Sequence, residues 1–462
     1  LPLAVSPDVD RASAQTAADL SWAAQLLKRE LEDYTPEIAS RIRYEVNRRL
    51  FIPLLSKERL ELGGAGAAEM AGVISGGLAA ALTLEGDEER RLQLVLKCIQ
   101  LTGRLLDGES ADGRIREGVA AWERVAGEIM DVYSMLFAAT DRKVMVYDEP
   151  EMMDMGNFLL FSHMFRDEFF CPGDRRAQLK FDGGRVYRYA LKTCDGLLAD
   201  LGAYLWHRGE EKPRRDESLM NRIHAAFYKA ELEKKFPRQP LPLQDFLPRS
   251  GWMMARSQED SEGGFLLYCK GGVNESGAGF HRDAGDFVLY HNALPVIIDI
   301  GQFEGSEFHN LPTVNGVNQS AGWGFGAFDV TARLDRDRAV VSMDLARAYD
   351  RESGASTLQR TLMLERNGNY VRLVEAFDLN RPENRVDFHF IFPDKPRLSG
   401  QSALIHGVSM SWEAGLSPQI DEIRLTEPYL IQQWGESVFR LTLSVQDNIS
   451  HDQFTFIFSE NE

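Results

Sequence analysis

Thirteen residues near the middle of the chain, Phe236 to Pro248 (FPRQPLPLQDFLP), contain four prolines. Proline has no backbone N–H and fixes its φ, so no helix continues through such a segment. The spacing of apolar residues also changes across it. Before it, from about Ser13 to Lys235, apolar residues recur at helical spacing between short polar turns; after Gly251 they fall into short alternating or continuous runs of β-formers. The expectation is an α+β multidomain chain. Residues 1–235 form an all-helical domain of seven to nine helices stacked as hairpins, residues 236–250 are a linker, and residues 251–462 form an antiparallel β domain, read as a two-sheet sandwich.

Individual elements follow from the same patterns. Thr35, Pro36 and Glu37 mark a helix start, with Ile38, Ile42 and Val46 on one face. Asp87, followed by Glu88 and Glu89, starts another helix, whose stripe is Leu92, Leu96, Ile99 and Leu106. Further helices are expected over 117–139, 151–170, 186–206 and 217–235. Strands are expected at 265–269, 287–290, 295–300, 339–344, 370–376, 388–392, 409–412, 429–433, 439–445 and 454–458.

Composition excludes several partners. Seventy acidic against 52 basic side chains leave a net charge of −18, which repels nucleic acid and anionic membrane surfaces. The most apolar stretch, Ala65 to Leu84, is rich in Gly and Ala and contains Glu69, so no membrane span is expected. The four cysteines lie far apart without a CxxC pair, which suggests reduced thiols. With no signal-peptide layout at Leu1, a cytoplasmic location is expected, and a homo-oligomer is compatible with this reading. No phosphate loop, nucleotide fingerprint or serine-nucleophile motif is present.

The densest cluster of reactive side chains runs from Phe280 to Gln319. His281 precedes one strand, Asp299 closes the next and His309 follows a short connection, so antiparallel pairing would bring the three together. Two imidazoles and a carboxylate suit Zn²⁺. The spacing also fits histidines that hydrogen-bond within the sheet.

The run H-x-D-x-G-x-F at His281, the D-x-G at Asp299 and H-N-L-P-T-V-N-G-V-x-Q at His309 resemble the β domain of heparinase II/III-like polysaccharide lyases, a bacterial carbohydrate-active class. The likeness extends to Arg360–Leu362, Asp378, Trp434 and Gly435. Upstream it reaches D-G-R-I-R-E-G-V-A-A-W (Asp112–Trp122), D-M-G-N-F (Asp154–Phe158) and D-G-G-R-V-Y-R-Y (Asp182–Tyr189). The resemblance implies an incomplete (α/α) toroid followed by antiparallel sheets, and a mainly structural zinc on His281, Asp299 and His309. It further implies a carbon–oxygen lyase that performs β-elimination on a uronic-acid-containing oligosaccharide or small acidic substrate in the cleft between domains.

Elimination needs a neutralised carboxylate, a base, and an acid for the departing oxygen. The residues considered for these roles are His163, Tyr187, Tyr189, Glu117 and Arg282. Each also has a structural reading: a core histidine, packed tyrosines, a carboxylate at a helix start, and an arginine paired with Asp283 or Asp286. Several family positions are altered. Gly279 and Phe280 stand where a second His and its Asn neighbour are usual. Ala121, Phe158 and Phe161 stand where Tyr is usual, and Glu61–Met70 replaces an Asn-Trp motif. These losses leave a second reading open, a catalytically silent carbohydrate- or partner-binding protein on the same scaffold.

Overall fold

The computed structural model describes residues 9–56, 66–109, 112–172, 178–209, 218–275, 281–301, 305–381 and 384–461. Two compact units emerge, one of residues Leu1–Leu160 with Lys180–Pro240 and one of Phe161–Leu179 with Leu241–Glu462. The boundary therefore differs from a single cut at the prolines, because residues 161–179 leave the helical run and belong with the sheets.

The helical unit is organised on Ala67–Leu84, whose residues 71–81 are all buried. By length and composition this helix could cross a membrane, with mean hydropathy 1.5, and 67% of it is buried inside the protein. Its small residues admit close neighbours: a Cβ on Gly76 would lie 2.6 Å from the Ala14 backbone of helix Arg11–Leu26. Asp87 caps the next helix, Glu88–Gly108, by accepting from Arg90 N at 2.8 Å, as its position suggests. The stripe differs from the expected one. Leu94, Cys98, Leu101 and Leu105 face inward, whereas Leu92, Leu96 and Ile99 are exposed. This helix carries two apolar stripes, and periodicity alone does not say which one meets the core.

The span 186–206 is two helices, Gly183–Thr193 and Gly196–Arg208, separated by Cys194 in the left-handed region (φ 56°) and restarted by the Asp195 cap. The first of these carries a buried charge network. Asp131 lies 2.6 Å from Arg185 and 2.5 Å from Arg188, Arg188 also bonds His224, and Glu128 is 3.4 Å from Arg185. Burial pushes the Asp131 carboxyl up, but Arg188 and Arg185 more than offset this and hold it below the usual range.

Strands are numbered along the chain: β1 (His163–Phe165), β2 (Glu168–Phe169), β3 (Gln244–Leu247), β4 (Trp252–Arg256), β5 (Phe265–Cys269), β6 (Phe287–His291), β7 (Leu294–Ile297), β8 (Pro312–Val314), β9 (Phe328–Leu334), β10 (Arg338–Asp344), β11 (Ala355–Glu365), β12 (Tyr370–Leu379), β13 (Val386–Phe392), β14 (Arg397–Ser399), β15 (Ser402–Ile405), β16 (Val408–Trp412), β17 (Leu416–Arg424), β18 (Ser437–Val445) and β19 (His451–Glu460). Among the described residues they form antiparallel sheets of order β14-β15-β16-β19-β12-β11-β10-β9, β17-β18-β13-β8 and β3-β4-β5-β6-β7, besides the hairpin β1-β2. All three larger sheets feed one buried apolar cluster, in which Phe388 and Phe390 of β13 meet Phe454, Phe456 and Phe458 of β19 at ring separations of 5.1 to 6.4 Å.

Three elements depart from the sequence expectation. The helix over 151–170 stops at Ser162, and the chain turns at Arg166 (φ 52°) into the β1-β2 hairpin. Tyr268 donates to Phe161 O at 2.7 Å and Arg256 to His163 O at 2.9 Å, while Phe170 stacks on Tyr268 at 4.4 Å. Those partners come from β4 and β5, far along the chain, so local spacing could not reveal them. The proline-rich segment is not a bare linker, since β3 pairs with β4 inside it. Residues 429–433, expected as a strand, lie in the helix Pro428–Trp434, where Pro428 occupies the first turn and Leu430 faces inward.

Asp131→Ala leaves Arg188 buried without its counter-ion and Arg185 with Glu128 alone at 3.4 Å, and should cost about 3–5 kcal/mol of unfolding free energy in urea titrations. His224 gives a pH dependence of known sign. Burial, then Arg188, lowers its pKa from 6.5 to about 4. Between those values the unfolded chain binds a proton that the folded chain does not, so stability should fall as pH drops from about 6.5 towards 4. His224→Gln should flatten that part of the profile.

Candidate functional site

The β6–β7 hairpin turns through Asn292 and Ala293, both with positive φ (51° and 60°), the two-residue geometry that suits the twist of paired strands. Just past β7 the chain presents Asp299, and after the turn Ser306–Phe308 it returns with His309. The loop before β6 supplies Asp283 and Asp286. The ligating atoms of Asp283, Asp286, Asp299 and His309 all lie within 4.8 Å of one another.

His309 is fully buried and donates from Nδ1 to Asp299 Oδ1 at 2.9 Å, with Asp286 Oδ2 at 3.8 Å. His281 stands edge-on to it, ring centroids 5.6 Å apart. Burial would lower the His309 pKa, but Asp299 against the ring raises it to about 9. Asp299 is correspondingly held low, because His309 outweighs the effect of burial. Burial, then the charge of Asp299, pushes Asp286 up to about 7, and burial lowers His281. Asp283 pairs with Lys270 through Oδ1. Its Oδ2 and the Nδ1 of His281 are buried with no hydrogen-bond partner among the described residues.

Sequence reading grouped His281, Asp299 and His309; the group that converges is Asp283, Asp286, Asp299 and His309, with His281 outside it and edge-on to His309. Sequence reading also missed the residues that hold the loops. Asn310, the N of the H-N-L-P run, is fully buried; its side-chain amide donates to Asp286 Oδ1, Phe287 O and Ile298 O at 2.9 to 3.0 Å, and its Oδ1 accepts from Ile391 N. Gln319, at the end of the same run, donates to Ala284 O and accepts from Asn274. Arg360 donates to Gly285 O and Asn310 O, at 2.6 and 2.8 Å. For Arg360 the available signal was its place on the alternation of Leu358, Leu362 and Leu364; Asn310, set among polar residues, carried no such signal.

Beside Asp299 opens a cavity walled by aromatic rings. Phe169 and Phe170 come from the inserted hairpin, Tyr290 from β6, and Gln433 and Trp434 from the helix Pro428–Trp434. The cavity volume is about 40 Å³, so it does not enclose a sugar ring; it sets Asp299 beside an aromatic wall with the Gln433 amide at its edge.

Four of the other candidate residues lie elsewhere and are engaged. His163, expected on a helix, sits in β1 with no exposed surface, its Nε2 3.2 Å from Arg166 O. Tyr189, also buried, donates to Met152 O at 2.6 Å and packs on Trp122, which raises its pKa well above 10 through burial. The Tyr187 hydroxyl donates to Glu231 at 2.5 Å. Glu117 lies before the short turn Val119–Ala121 and accepts from Ala68 N at 3.1 Å, thereby capping Ala67–Leu84 rather than starting its own helix. Arg282 is half-buried in the loop between His281 and Asp283. Ala121, Phe158 and Phe161 are buried packing positions; Gly279, Phe280 and residues 61–65 of the replaced motif lie outside the described residues.

No family sequence model and no curated protein sequence matches the chain. Solved structures do match it. Heparan sulfate lyase HepC from Pedobacter heparinus superposes with a TM-score of 0.68 at 11% identity, over 96% of this chain and 68% of that one. A heparinase III with methylated lysines gives 0.65 at 12% identity, over 96% and 66%. Chondroitin AC lyase from Streptomyces coelicolor A3 in complex with chondroitin sulphate gives 0.54 at 9% identity, over 97% and 66%. The chain thus has a polysaccharide-lyase fold of the heparinase III and chondroitin AC type, in a sequence-divergent form. It spans about two-thirds of the length of those enzymes.

Asn310→Ala removes donors to Asp286 and two carbonyls while leaving Ile391 N unpaired. It should lower unfolding free energy by about 2–4 kcal/mol in urea titrations, and a loss under about 0.5 kcal/mol would show that the clamp is dispensable.

Proposed function

We propose that the chain is a lyase-type carbohydrate protein that performs β-elimination on a uronic-acid-containing oligosaccharide or smaller acidic substrate. The observation that carries this reading is the buried Asp299–His309 pair at the edge of an aromatic cavity, on a polysaccharide-lyase fold. The finer architecture we propose is an (α/α) toroid-like helical unit, with the sheets sharing the phenylalanine core as a sandwich. In the elimination, a base removes the proton on the carbon next to the carboxylate. The electron pair forms the new double bond as the carbon–oxygen bond breaks, and an acid protonates the leaving oxygen.

The donor set suits a divalent metal, and zinc is the ion proposed. His281, Asp299 and His309 would hold it with Asp283 or Asp286 adjoining, and the unpartnered His281 Nδ1 and Asp283 Oδ2 support this assignment. Bound there, the ion would neutralise crowded carboxylates and tie the loops before β6 and after β7. Arg282 is the residue proposed to meet a substrate carboxylate. A second reading, a binding protein without turnover, is favoured by one specific observation: the hydroxyls of Tyr187 and Tyr189 and the imidazole of His163 are all engaged within the protein.

Two measurements test the proposal. Metal analysis of protein purified without chelator should find about one divalent ion per chain, lost in the double variant His281→Ala/His309→Ala; absence of stoichiometric metal refutes the site. Incubation with unsulfated uronate oligomers, followed by absorbance of the unsaturated product, should show slow turnover that Arg282→Ala lowers at least about tenfold. Heparin and heparan sulfate should turn over less, since the net charge of −18 opposes polyanion capture. Product from none of the oligomers leaves the binding reading.

A further inference from the structure

β13 alternates in an unusual way. Phe388 and Phe390 point into the phenylalanine core, and the residues that alternate with them, Asp387 and His389, lie on the opposite face. Both are buried all the same, 5% and 6% exposed. The strand register continues this polarity across the sheet. Asp387 stands between Thr313 of β8 and Ser444 of β18, and His389 beside Thr442 of β18, which in turn faces Gln419 of β17. If this face only needed covering, Val or Thr rows would cost less than a buried carboxylate and imidazole. Instead the rows form the floor of a polar groove, with Arg385, Arg440, Asp421 and Glu307 on its sides.

Part of the polarity is satisfied internally. His389 bonds Thr313 at 3.0 Å and Thr442 at 3.1 Å, one through each ring nitrogen. Arg385 pairs with Asp387 at 2.8 Å, and Arg440 with Asp421 at 3.1 Å. What remains over is specific. Asp387 Oδ1, Glu307 Oε2 and Arg440 Nε are buried without a hydrogen-bond partner among the described residues, and the Asp387 side chain is only 8% exposed. These two acceptors and one donor have almost no exposed surface, so a ligand reaches them only when the groove side chains around them turn aside.

We infer that this groove is a second binding site, for an uncharged saccharide. A hydroxyl both donates and accepts, so adjacent sugar hydroxyls can donate hydrogen bonds to Asp387 and Glu307 and accept one from Arg440. Three carboxylates against two guanidiniums leave the groove negative, which selects against sulfated or uronate-rich chains. The site is separate from the lyase reading, and its failure would leave that reading standing.

The test titrates the full chain with cellohexaose and maltohexaose, read by saturation-transfer NMR and calorimetry. Binding of at least one is expected, weakened at least about tenfold by Asp387→Asn, which preserves shape, and by Arg440→Met. Gln419→Ala, on an exposed rim, should weaken it several-fold with an unchanged melting temperature, which guards against a folding artefact. A chondroitin sulphate hexasaccharide should not displace the neutral sugar. Absence of binding by both neutral sugars, indifference to all three variants, or displacement by the sulfated hexasaccharide would each overturn the inference.

Discussion

One buried guanidinium joins the sheets to the loops that carry the candidate site. Arg360 of β11 and Glu375 of β12 face each other across the largest sheet, at positions where the alternation of both strands otherwise delivers Leu, Val and Phe to the core. The Arg360 side chain is 2% exposed and that of Glu375 fully buried. A lone charge there would be prohibitive, and even a paired one has little to recommend it over hydrophobic packing for stability alone. What the pair adds is direction. With Glu375 holding one side of the fork at 2.8 Å, the other side is committed to the carbonyls of Gly285 and Asn310, next to Asp286 and His309. The position of the acidic cluster is thereby tied to the register of two central strands.

The helical unit uses the same device. Asp131 gathers Arg185 and Arg188 from the D-G-G-R-V-Y-R-Y segment, and Asp182 of that segment caps the helix that carries them. Gly113 of the D-G-R segment meets the backbone of Asp154 so closely that a Cβ would lie 2.1 Å from its carbonyl carbon. Trp122, closing the same segment, donates to Met155 O at 2.7 Å. The motifs that most suggest a lyase in the helical half are thus joints between helices. At about a tenth sequence identity the solved lyases share the fold, and the chemistry is left to the few polar groups that are not absorbed in packing.

Those groups lie mainly in the sheet unit. Asp299 serves two environments at once, paired with His309 on one side and lining the aromatic cavity on the other. The cavity depends on the β1-β2 hairpin, which arrives from the helical part of the sequence and is held by the side chains of Arg256 and Tyr268, donating to the carbonyls of His163 and, just before the hairpin, Phe161. The polar face of β13 is a further departure from simple packing, with buried Asp387 and His389 where an apolar or hydroxyl row would be cheaper.

How much of this could be read from the sequence follows the range of each interaction. The helix-to-strand switch at the prolines, the Asp87 cap and most strands were legible because they depend on neighbours within a few residues. The approach of Asp299 and His309 was legible because a short connection joins them, whereas the share of Asp283 and Asp286 in the group was not. The inward face of Glu88–Gly108, the end of the helix at Ser162, the helical state of 428–434 and the pairing of Arg360 with Glu375 were not. In each of these the local pattern allowed two outcomes, and the deciding partner lay in a distant segment: the packed helix Ala67–Leu84, Tyr268 and Arg256, the cluster of Ile298, Ile300 and Ile391 around Leu430, and the neighbouring strand. Period, caps and turns were thus set by the sequence itself, because their energies are local; which face is buried, where a helix yields to a hairpin and which charges may be buried were decided only by tertiary structure, because burial and ion pairing acquire their sign from what stands opposite.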